Sequence, residues 1–535
     1  MDRQAITQIE QGRTALGIEL GSTRIKSVLI DERHAVLASG SFSWENRMEN
    51  GLWTYRLEDA VEGLRQSYAA LAADVRRKYG VPLKTAGGIG ISGMMHGYIA
   101  LDREGNQLAP FLTWRNTNTV RAADALTERF GFNIPLRWSI AQLYEAIMEE
   151  APHVAQLDYL CTLSAYIHRL LSGERVVGIG EASGMFPIDS AAKDYDGRMI
   201  EEFETLIANR RYPWRLRDVL PRVLCAGEEA GRLTEAGARL LDPSGTLCPG
   251  IPMAPPEGDA GTGMVATDSV AVGTGNVSAG TSIFAMLVLE KPLGRMYRDI
   301  DMVTTPSGHP VAMVHCNNGT SEIDAWFQLF RDFARGVHAD ISDDALFRYL
   351  FEASLAGDAD CGGLLAYNYL SGEPVTGQNE NGCPMLLRGQ GAALTLANFM
   401  RAQLYSALAS LTIGMEIFEA EQVRFTRLTG HGGLFKTPGV AQQYLAAAVR
   451  TPVTVLKTAG EGGPYGMAVL AAYMRSREPG QTLEAYLRSR VFSDDCGVSV
   501  EATVEEAEGY RQFLRQYRRL LPVEGNAAAL LNGRT

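Results

Sequence analysis

The hydrophobic pattern near the N-terminus predicts strands joined by one tight turn. Residues 14–20 and 24–31 are largely apolar, and the Gly-Ser-Thr sequence at 21–23 separates them. A third apolar run at 35–43 is placed to pair with these two strands. Backbone N–H groups and hydroxyls in a turn such as 21–23 can hold a phosphate group. We therefore predict a hairpin with a phosphate-binding turn.

The next segment predicts a helix followed by a strand. Apolar residues recur at helical spacing and end at Gly80, which suits the left-handed conformation that closes many helices. The helical positions are Val61, Leu64, Tyr68, Leu71 and Val75. Residues 88–93 then have the pattern of a strand. Strands that alternate with helices predict the α/β fold class.

The middle of the chain holds two glycine-rich runs, at 255–263 and 273–282. Asp259 lies in the first run, where glycines let the backbone approach a ligand closely, and we interpret Asp259 as a catalytic base. Apolar residues at 264–272 and 283–289 flank the second run and predict a strand–turn–strand hairpin around a phosphate. Either run alone is equally consistent with an ordinary tight turn.

Two further glycine loops precede predicted helices near the end of the chain. The first, at 430–433, is followed by Thr437 as predicted N-cap and Pro438 as first helical residue. The second covers 460–466. Such helix starts present free N–H groups to phosphate. Each alone is a plain helix start, but two within a short stretch favour a nucleotide.

The remaining segments predict helices and a loop. Residues 157–171 have a helical pattern, and Ser321 begins a sequence similar to a capping box. Apolar spacing over 400–418 predicts a long amphipathic helix. The small residues at 180–185 could border a pocket, although a plain connection explains them more simply.

Two common nucleotide motifs do not apply to this chain. Residues 88–93 match the dinucleotide pattern G-x-G-x-x-G, but the match is itself strand-like and opens no helix. The phosphate-loop pattern G-x-x-x-x-G-K-[ST] does not occur. Any nucleotide is therefore expected to be bound by another architecture.

Polar and aromatic residues follow predicted strands at two places. They are Met95, His96, Trp114, Arg115 and Asn116. Open α/β sheets bind ligands at the carboxyl ends of their strands. The hydroxyls of a sugar need hydrogen bonds, and its C–H face packs on aromatic rings. His96 and Trp114 are each as consistent with a structural role as with sugar contact.

Composition narrows the class of partner and the compartment. Of 535 residues, 46% are hydrophobic and 21% are charged, which suits a globular chain of two or three domains. A net charge of −12 argues against nucleic acid or an anionic membrane as partner. Seven scattered cysteines, a polar N-terminus and the lack of long apolar runs predict a cytoplasmic protein without disulfides, a zinc site or a membrane span.

Taken together, these residues resemble the FGGY carbohydrate kinases. The order and spacing of the motifs fit from about residue 14 to about residue 475. The motifs are Gly17-Ile18-Glu19-Leu20-Gly21-Ser22-Thr23, Met95-His96-Gly97, Gly258-Asp259-Ala260, Ser278-Ala279-Gly280-Thr281-Ser282, Tyr369-Leu370-Ser371-Gly372-Glu373, Gly432-Gly433 and Gly463-Pro464-Tyr465-Gly466. Within the family, the Met-His-Gly triplet is most similar to that of xylulokinase.

The resemblance implies an actin-like ATPase fold of two ribonuclease H-like α/β domains with a ligand cleft between them. We expect an N-terminal domain at 14–262 with the sugar site and the catalytic Asp259, and a nucleotide-binding C-terminal domain at 263–535. The implied cofactors are ATP and Mg²⁺. Sugar contacts are expected from Met95, His96, Trp114, Arg115, Asn116 and Asp259; nucleotide contacts from Gly21, Ser22, Thr23, Gly280, Thr281, Ser282, Gly432, Gly433 and Lys436; and metal contacts through water from Glu19 and Asp259.

Two motifs depart from the family pattern. Glu19 stands where Asp is usual, and Asn116 and Asn118 replace the charged residues of a Trp-x-Asp-x-Arg motif.

We expect phosphorylation of a ketopentose such as D-xylulose. The alternatives are another sugar such as ribulose, a polyol or a sugar acid, or an actin-like ATPase or regulatory protein without sugar kinase activity. A homodimer is compatible with the sequence.

Overall fold

A computed structural model describes residues 2–378, 381–456, 462–493 and 497–531. In the first half of the chain, the helices are α1 (Arg3–Glu10), α2 (Leu57–Tyr79), α3 (Val120–Phe130), α4 (Ser139–Met148), α5 (Leu163–Ser172), α6 (Ile179–Ala182), α7 (Gly197–Ile207), α8 (Leu216–Val219), α9 (Glu235–Leu241) and α10 (Asp259–Ala266). The strands are β1 (Ala15–Leu20), β2 (Arg24–Ile30), β3 (Val36–Ser43), β4 (Arg47–Glu49), β5 (Leu52–Thr54), β6 (Gly88–Gly93), β7 (Ile99–Leu101), β8 (Tyr159–Cys161), β9 (Val176–Gly178), β10 (Ile188–Asp189), β11 (Asp194–Tyr195), β12 (Arg222–Leu224) and β13 (Glu257–Gly258).

In the second half, the helices are α11 (Ser321–Gly336), α12 (Asp343–Ala353), α13 (Leu396–Ala420), α14 (Val440–Val449), α15 (Gly462–Ser476), α16 (Leu483–Tyr486) and α17 (Val504–Leu531). The strands are β14 (Thr274–Ala279), β15 (Ile283–Val288), β16 (Ile300–Thr304), β17 (Pro310–Cys316), β18 (Leu364–Tyr367), β19 (Met385–Arg388), β20 (Arg427–His431), β21 (Val453–Val455) and β22 (Val498–Val500). No helix in the described ranges is long and apolar enough to cross a membrane.

The two main sheets share one strand order. The first has the order β13-β6-β1-β2-β3, and the centre of the second has the order β21-β20-β14-β15-β17, with β16 and β22 at its edges. In each sheet three strands form an antiparallel meander, and two further strands run parallel to the first of them. The β1–β2 turn at 21–23 therefore corresponds to the β14–β15 turn at 280–282.

Helix α15 belongs to the second half of the chain but packs on the first sheet. Glycines on β1 and β6 make room for its backbone. A Cβ added at Gly17 would lie 2.1 Å from the carbonyl oxygen of Pro464, and one at Gly90 would lie 2.3 Å from the side chain of Met467. Residues 88–93, which match G-x-G-x-x-G, form the buried strand β6 as predicted, and Gly90 of this match makes room for α15.

Each sheet is surrounded by its own hydrophobic core. The first core contains residues of β1, β2, β6 and α2, and also the α15 residues Val469 and Leu470. The second core contains residues of β14, β15, α13, α14 and α17. Residues from both sides of the predicted domain boundary at 262/263 share the first core, and that boundary stays a prediction.

The edge strand β16 ties the second sheet to the first half of the chain. The N–H of Thr304 donates to Ser183 Oγ at 3.0 Å, and the Thr304 hydroxyl donates to the carbonyl oxygen of Ile179 at 3.0 Å. Asp301 forms an ion pair with Arg137. These contacts fix one side of the region between the two sheets.

Several predicted elements are confirmed. The meander of β1, β2 and β3 follows the predicted runs, and α2 ends at Gly80 with a φ of 75°. Helix α11 begins at Ser321, although its N-cap residue Thr320 makes no side-chain capping bond. Helix α13 covers the predicted 400–418, but it is buried around most of its circumference rather than amphipathic.

Other predicted elements are wrong. Residues 264–272 do not form the first strand of the hairpin, because Met264 to Ala266 end helix α10 and the glycine-rich run itself supplies β14. Thr437 does not cap a helix, since α14 begins three residues later with Gly439 as its N-cap. The predicted helix at 157–171 is divided into β8 and α5. In the loop predicted at 460–466, residues 460 and 461 lie outside the described residues.

Candidate active site

Asp259 begins helix α10 directly after the short strand β13. Because β13 pairs with β6, with Gly258 opposite Gly93, Asp259 lies beside the residues that follow β6. Its Oδ1 accepts a hydrogen bond from the backbone N–H of Met95 at 3.0 Å. The strand pairing thus brings together two segments that are 164 positions apart in sequence.

Burial raises the pKa of Asp259, while hydrogen bonds from the N–H groups of Met95 and Ala260 act in the opposite direction. A carboxylate whose pKa is raised is a stronger base than an ordinary aspartate. The electrostatics therefore favour proton acceptance at Asp259. Its role as catalytic base stays a prediction.

Two buried carboxyl groups lie behind Asp259. Glu257 accepts hydrogen bonds from the N–H groups of Gly180 at 3.3 Å and Glu181 at 2.9 Å, and burial raises its pKa to about 8. Glu181 is 0% exposed, and neither of its carboxyl oxygens has a hydrogen-bond partner of ordinary geometry among the described residues. Burial, followed by the charges of Asp259 and Glu257, raises the pKa of Glu181 well above its usual 4.5.

Glu19 lies near the end of β1 and faces the N-terminus of α15. A Cβ added at Gly463 would lie 2.3 Å from Glu19 Oε1, so glycine leaves the room that this long side chain occupies. Burial, together with the charge of Asp259, raises the pKa of Glu19 to about 7, while Lys26 acts in the opposite direction. The structure therefore places Glu19 and Asp259 in each other's electrostatic field.

The pair of Glu19 and Asp259 fits a Mg²⁺ ion that takes few ligands from the protein. Mg²⁺ at phosphate-transfer sites is usually held by one or two carboxylates together with substrate phosphates and water. A cation near both groups would relieve the repulsion that raises the pKa of Glu19. Within the described ranges, no group of three or more acidic, His or Cys side chains could form a cage for a metal ion. The metal role of both residues stays a prediction.

His96 is buried and has a left-handed backbone conformation with a φ of 72°. Its Nδ1 donates to the carbonyl oxygen of Gly184 at 3.2 Å, and its ring stacks on Trp138 at a centroid distance of 6.4 Å. Burial, together with the charge of Arg137, lowers the pKa of His96 well below 6.5. A neutral ring that donates through Nδ1 offers Nε2 as a hydrogen-bond acceptor.

Trp114, which is predicted to contact the sugar, lies beside the turn at 21–23, which is predicted to bind phosphate. Trp114 is 40% exposed, and its Nε1 donates to Ser22 Oγ at 3.3 Å. The guanidinium of Arg115 lies 3.9 Å from the centre of the Trp53 ring. Asn116 is buried and hydrogen-bonds both the N–H and the carbonyl oxygen of Trp53, each at 2.8 Å. Its amide therefore holds the β4–β5 hairpin, and its predicted contact with a sugar stays a prediction.

The first predicted phosphate turn, 21–23, is fixed through its carbonyl groups. Trp44 Nε1 donates to the carbonyl oxygen of Gly21 at 2.7 Å, and the Tyr55 hydroxyl donates to that of Ser22 at 2.6 Å. The backbone N–H of Trp44 donates to the carbonyl oxygen of Thr23 at 3.1 Å. With its carbonyls bound on one side, the turn can present N–H groups and hydroxyls to a phosphate on the other.

The second predicted phosphate turn, 280–282, is closed by a hydrogen bond from the N–H of Gly280 to the carbonyl oxygen of Ser282 at 3.0 Å. Gly432 lies against its base, because an added Cβ would be 2.5 Å from the carbonyl oxygen of Ala279. Gly433 and Lys436 belong to the 3₁₀ turn Gly433–Lys436 that follows, and both are exposed. No hydrogen bond or ion pair of the described residues links Lys436 to the turn.

The sequence patterns did not identify several residues that the structure places around Asp259 and the 21–23 turn. Glu181 and Glu257 come from separate segments, and only the contact of α6 with β13 behind Asp259 reveals them. Trp44 and Tyr55, which hold the first turn, were not recognised either. Their spacing, in an aromatic-rich segment shortly after the hairpin, is the signal that could have indicated them.

Sequence profiles of known families match most of the chain. The N-terminal domain profile of the FGGY family of carbohydrate kinases matches residues 14–263, and its C-terminal domain profile matches residues 275–475. The chain belongs to the FGGY family of carbohydrate kinases. The prediction of an FGGY carbohydrate kinase is confirmed.

Similar proteins include xylulose kinases at low identity. The xylulose kinase of Haemophilus influenzae is 21% identical over 470 residues, which cover 86% of this chain and 90% of that protein. The match to the xylulose kinase of Klebsiella pneumoniae is 23% identical over 281 residues and spans about half of the relative, 53% of its length.

Solved structures of sugar kinases share the fold. A xylulose kinase from Rhodospirillum rubrum has a TM-score of 0.76 at 18% identity and covers 96% of this FGGY chain and 99% of its own. A gluconate kinase from Lactobacillus acidophilus has a TM-score of 0.77 at 15% identity and covers 97% and 99%. The predicted actin-like fold of two ribonuclease H-like domains is confirmed.

Proposed function

We propose that this FGGY kinase phosphorylates a hydroxyl group of a ketopentose, with D-xylulose as the first candidate. The names of the matched relatives and the Met95-His96-Gly97 triplet beside Asp259 support this choice. Since a gluconate kinase has an equally similar fold, sugar acids belong in the test as well. Family membership favours a kinase over the alternative of an ATPase or regulatory protein without sugar kinase activity.

The position of Asp259 is the observation that carries the proposal. Its carboxylate lies at the carboxyl end of the first sheet, where open α/β sheets bind ligands. We infer that Asp259 takes the proton of the sugar hydroxyl while the hydroxyl oxygen bonds to the γ-phosphorus of ATP. At the same time, the bond between that phosphorus and the bridging oxygen of ADP breaks.

We further propose that His96 accepts a hydrogen bond from a second sugar hydroxyl through Nε2. The bond from Nδ1 to Gly184 fixes the ring orientation, and the lowered pKa keeps the ring neutral. Met95, Trp114, Arg115 and Asn116 complete the proposed sugar site. Of these, exposed Trp114 is the side chain best suited to pack on the C–H face of a sugar.

Carbohydrate kinases of this family use ATP. We propose that the turns at 21–23 and 280–282 bind its phosphates and that Gly432, Gly433 and Lys436 lie near its nucleoside. Mg²⁺ bound with ATP would supply positive charge at the phosphates, and Glu19 and Asp259 would hold it through water. Phosphate binding at two corresponding turns of two similar sheets would place ATP between the domains.

A cytoplasmic location and the lack of a nucleic-acid or membrane partner remain inferences from charge and composition. A homodimer stays a prediction.

The test is ADP release, measured with D-xylulose, D-ribulose, L-ribulose, glycerol and D-gluconate as acceptors. We expect the highest kcat/KM for a ketopentose. The Asp259→Asn variant, purified identically, controls for contaminating kinases. A tenfold preference for gluconate or glycerol would contradict the substrate proposal, and no acceptor-dependent ADP release with any sugar would contradict the activity.

A further inference from the structure

The proposed phosphate turn at 280–282 is supported by a second loop, residues 317–320. The N–H of Thr320 donates to the carbonyl oxygen of Gly280 at 2.8 Å, and the N–H of Gly319 donates to that of Thr281 at 2.7 Å. The backbones of the loop and the turn lie close together, since a Cβ added at Gly319 would lie 2.2 Å from the carbonyl oxygen of Gly280. The position of the loop therefore determines the position of the turn.

Asn318 holds this loop to the segment at 369–373. Its Oδ1 accepts from the N–H groups of Leu370 at 2.9 Å and Ser371 at 3.0 Å, and its Nδ2 donates to the carbonyl oxygen of Ser371 at 3.1 Å. Asn368 strengthens the same contact, because its Nδ2 donates to the carbonyl oxygens of Asn318 at 3.1 Å and Gly319 at 2.9 Å. The loop is thus anchored through buried amides rather than through apolar contacts.

Glu373 lies beneath these amides and is 0% exposed. Its Oε2 accepts from both the backbone N–H and the Nδ2 of Asn318, each at 3.2 Å. Its Oε1 has no hydrogen-bond partner among the described residues. Burial raises the pKa of Glu373 to about 7, against the effect of the hydrogen bonds from Asn318. Burying a carboxyl group with one oxygen unpaired costs free energy, and a group retained at that cost calls for an explanation.

We propose that Glu373 is a positioning residue for ATP. Through Asn318 and the loop at 317–320 it fixes the 280–282 turn, whose N–H groups would bind the phosphates. Glu373 itself is buried and does not contact the nucleotide. This inference rests on the proposed binding of ATP phosphate at the turn.

The hydrogen bonds that lead from Glu373 to the 280–282 turn predict that a change at Glu373 affects ATP binding and not sugar binding. When the acceptor at Glu373 is lost, Asn318 loses two hydrogen bonds, and the loop and the turn are held less firmly. The turn would then be poorly placed for phosphate, whereas no hydrogen bond among the described residues links this network to the proposed sugar site on the first sheet. We expect the KM for ATP to rise at least about tenfold, which corresponds to about 1.4 kcal/mol, and the KM for the sugar to change less than about twofold.

The main variant is Glu373→Ala in the full chain, measured by steady-state kinetics and by calorimetric titration with a non-hydrolysable ATP analogue. Glu373→Gln keeps a carbonyl oxygen as acceptor and should restore most of the ATP affinity. Glu373→Asp, which withdraws the carboxyl by one methylene, replaces the alanine variant if that variant does not fold. Glu524→Ala is the matched control, because Glu524 is 1% exposed in the same half of the chain and accepts from the N–H of Cys383 at 2.7 Å.

The expected result is weakened analogue binding for Glu373→Ala or Glu373→Asp, near-normal binding for Glu373→Gln, and a lower melting temperature without loss of ATP affinity for Glu524→Ala. Equal ATP affinity in the wild type and a folded Glu373 variant would overturn the inference. So would equal losses of ATP affinity in Glu373→Ala and Glu524→Ala. If the wild type does not bind the ATP analogue, the proposed function itself fails, and that outcome is separate from the other two.

Discussion

Replacement of Asp259 by Asn separates chemistry from binding in this site. The Asn oxygen can still accept the 3.0 Å hydrogen bond from Met95, so the start of α10 should keep its geometry. The amide cannot accept the proton of a sugar hydroxyl. Loss of a general base costs about 10²- to 10⁴-fold in rate.

The structure favours the upper part of that range. Burial raises the pKa of Asp259, so the wild-type base is strong, and the neighbouring Glu181 and Glu257 are fully buried and do not replace it. We expect kcat to fall about 10³-fold or more, which is a barrier increase of about 4 kcal/mol or more. Since the charge of Asp259 also raises the pKa of Glu19, the variant should be at least as stable as the wild type.

The assay combines ADP release with thermal unfolding. Asp268→Asn is the control, because Asp268 lies just beyond the other end of α10 and pairs with Arg427 at 2.7 Å. This control should keep its turnover and lose stability. Turnover of Asp259→Asn within tenfold of the wild type would remove Asp259 from the role of base, and a marked drop in its melting temperature would refute the electrostatic reasoning.

Three further predictions concern binding and packing. His96→Ala should weaken sugar binding by about 1 to 3 kcal/mol and leave ATP affinity unchanged in calorimetric titrations. His168→Ala is the control, because it removes a buried histidine bonded to Ala230 and should affect stability only. A sugar affinity of His96→Ala equal to that of the wild type would make His96 structural. Sugar and a non-hydrolysable ATP analogue should bind with a favourable coupling of about 1 to 3 kcal/mol, and identical sugar affinity with and without the analogue would argue against a closing cleft. Gly466→Ala should lower the free energy of unfolding by about 1 to 3 kcal/mol or more, because its Cβ would lie 2.0 Å from the carbonyl oxygen of Thr262. In Gly263→Ala, the added Cβ meets no atom within 4 Å, so this control variant should be neutral or stabilising. Equal denaturation midpoints for the two variants would contradict this packing argument.

Short-range sequence patterns predicted the strands and helix ends that depend on neighbouring residues alone. The meander of β1 to β3 and the end of α2 at Gly80 follow from apolar spacing and a glycine cap. Asp259 could be singled out because the glycines around it let the backbone approach a ligand closely. The pairing of β13 with β6, which sets Asp259 beside Met95, joins distant segments and has no local signal.

The errors arose where packing overrides local preference. Helix α10 contains two glycines and a threonine, which are poor helix formers, yet it is helical and packs closely on α15, where a Cβ added at Gly466 would lie 2.0 Å from the carbonyl oxygen of Thr262. The glycines of β14 suggested a turn, but Gly275 lies in a strand, where a Cβ would be 2.4 Å from the carbonyl oxygen of Met286. In both cases glycine serves close approach rather than a turn.

The position of α15 has a consequence for how the chain can be divided and when it can fold. The first sheet receives this helix from residues 462–476, about 200 positions after its last strand, β13. A fragment that ends near residue 262 would leave the glycine-lined face of β1 and β6 open to water. We expect such a fragment to aggregate, and we expect the first sheet to reach its final form during synthesis only after most of the second half has emerged from the ribosome.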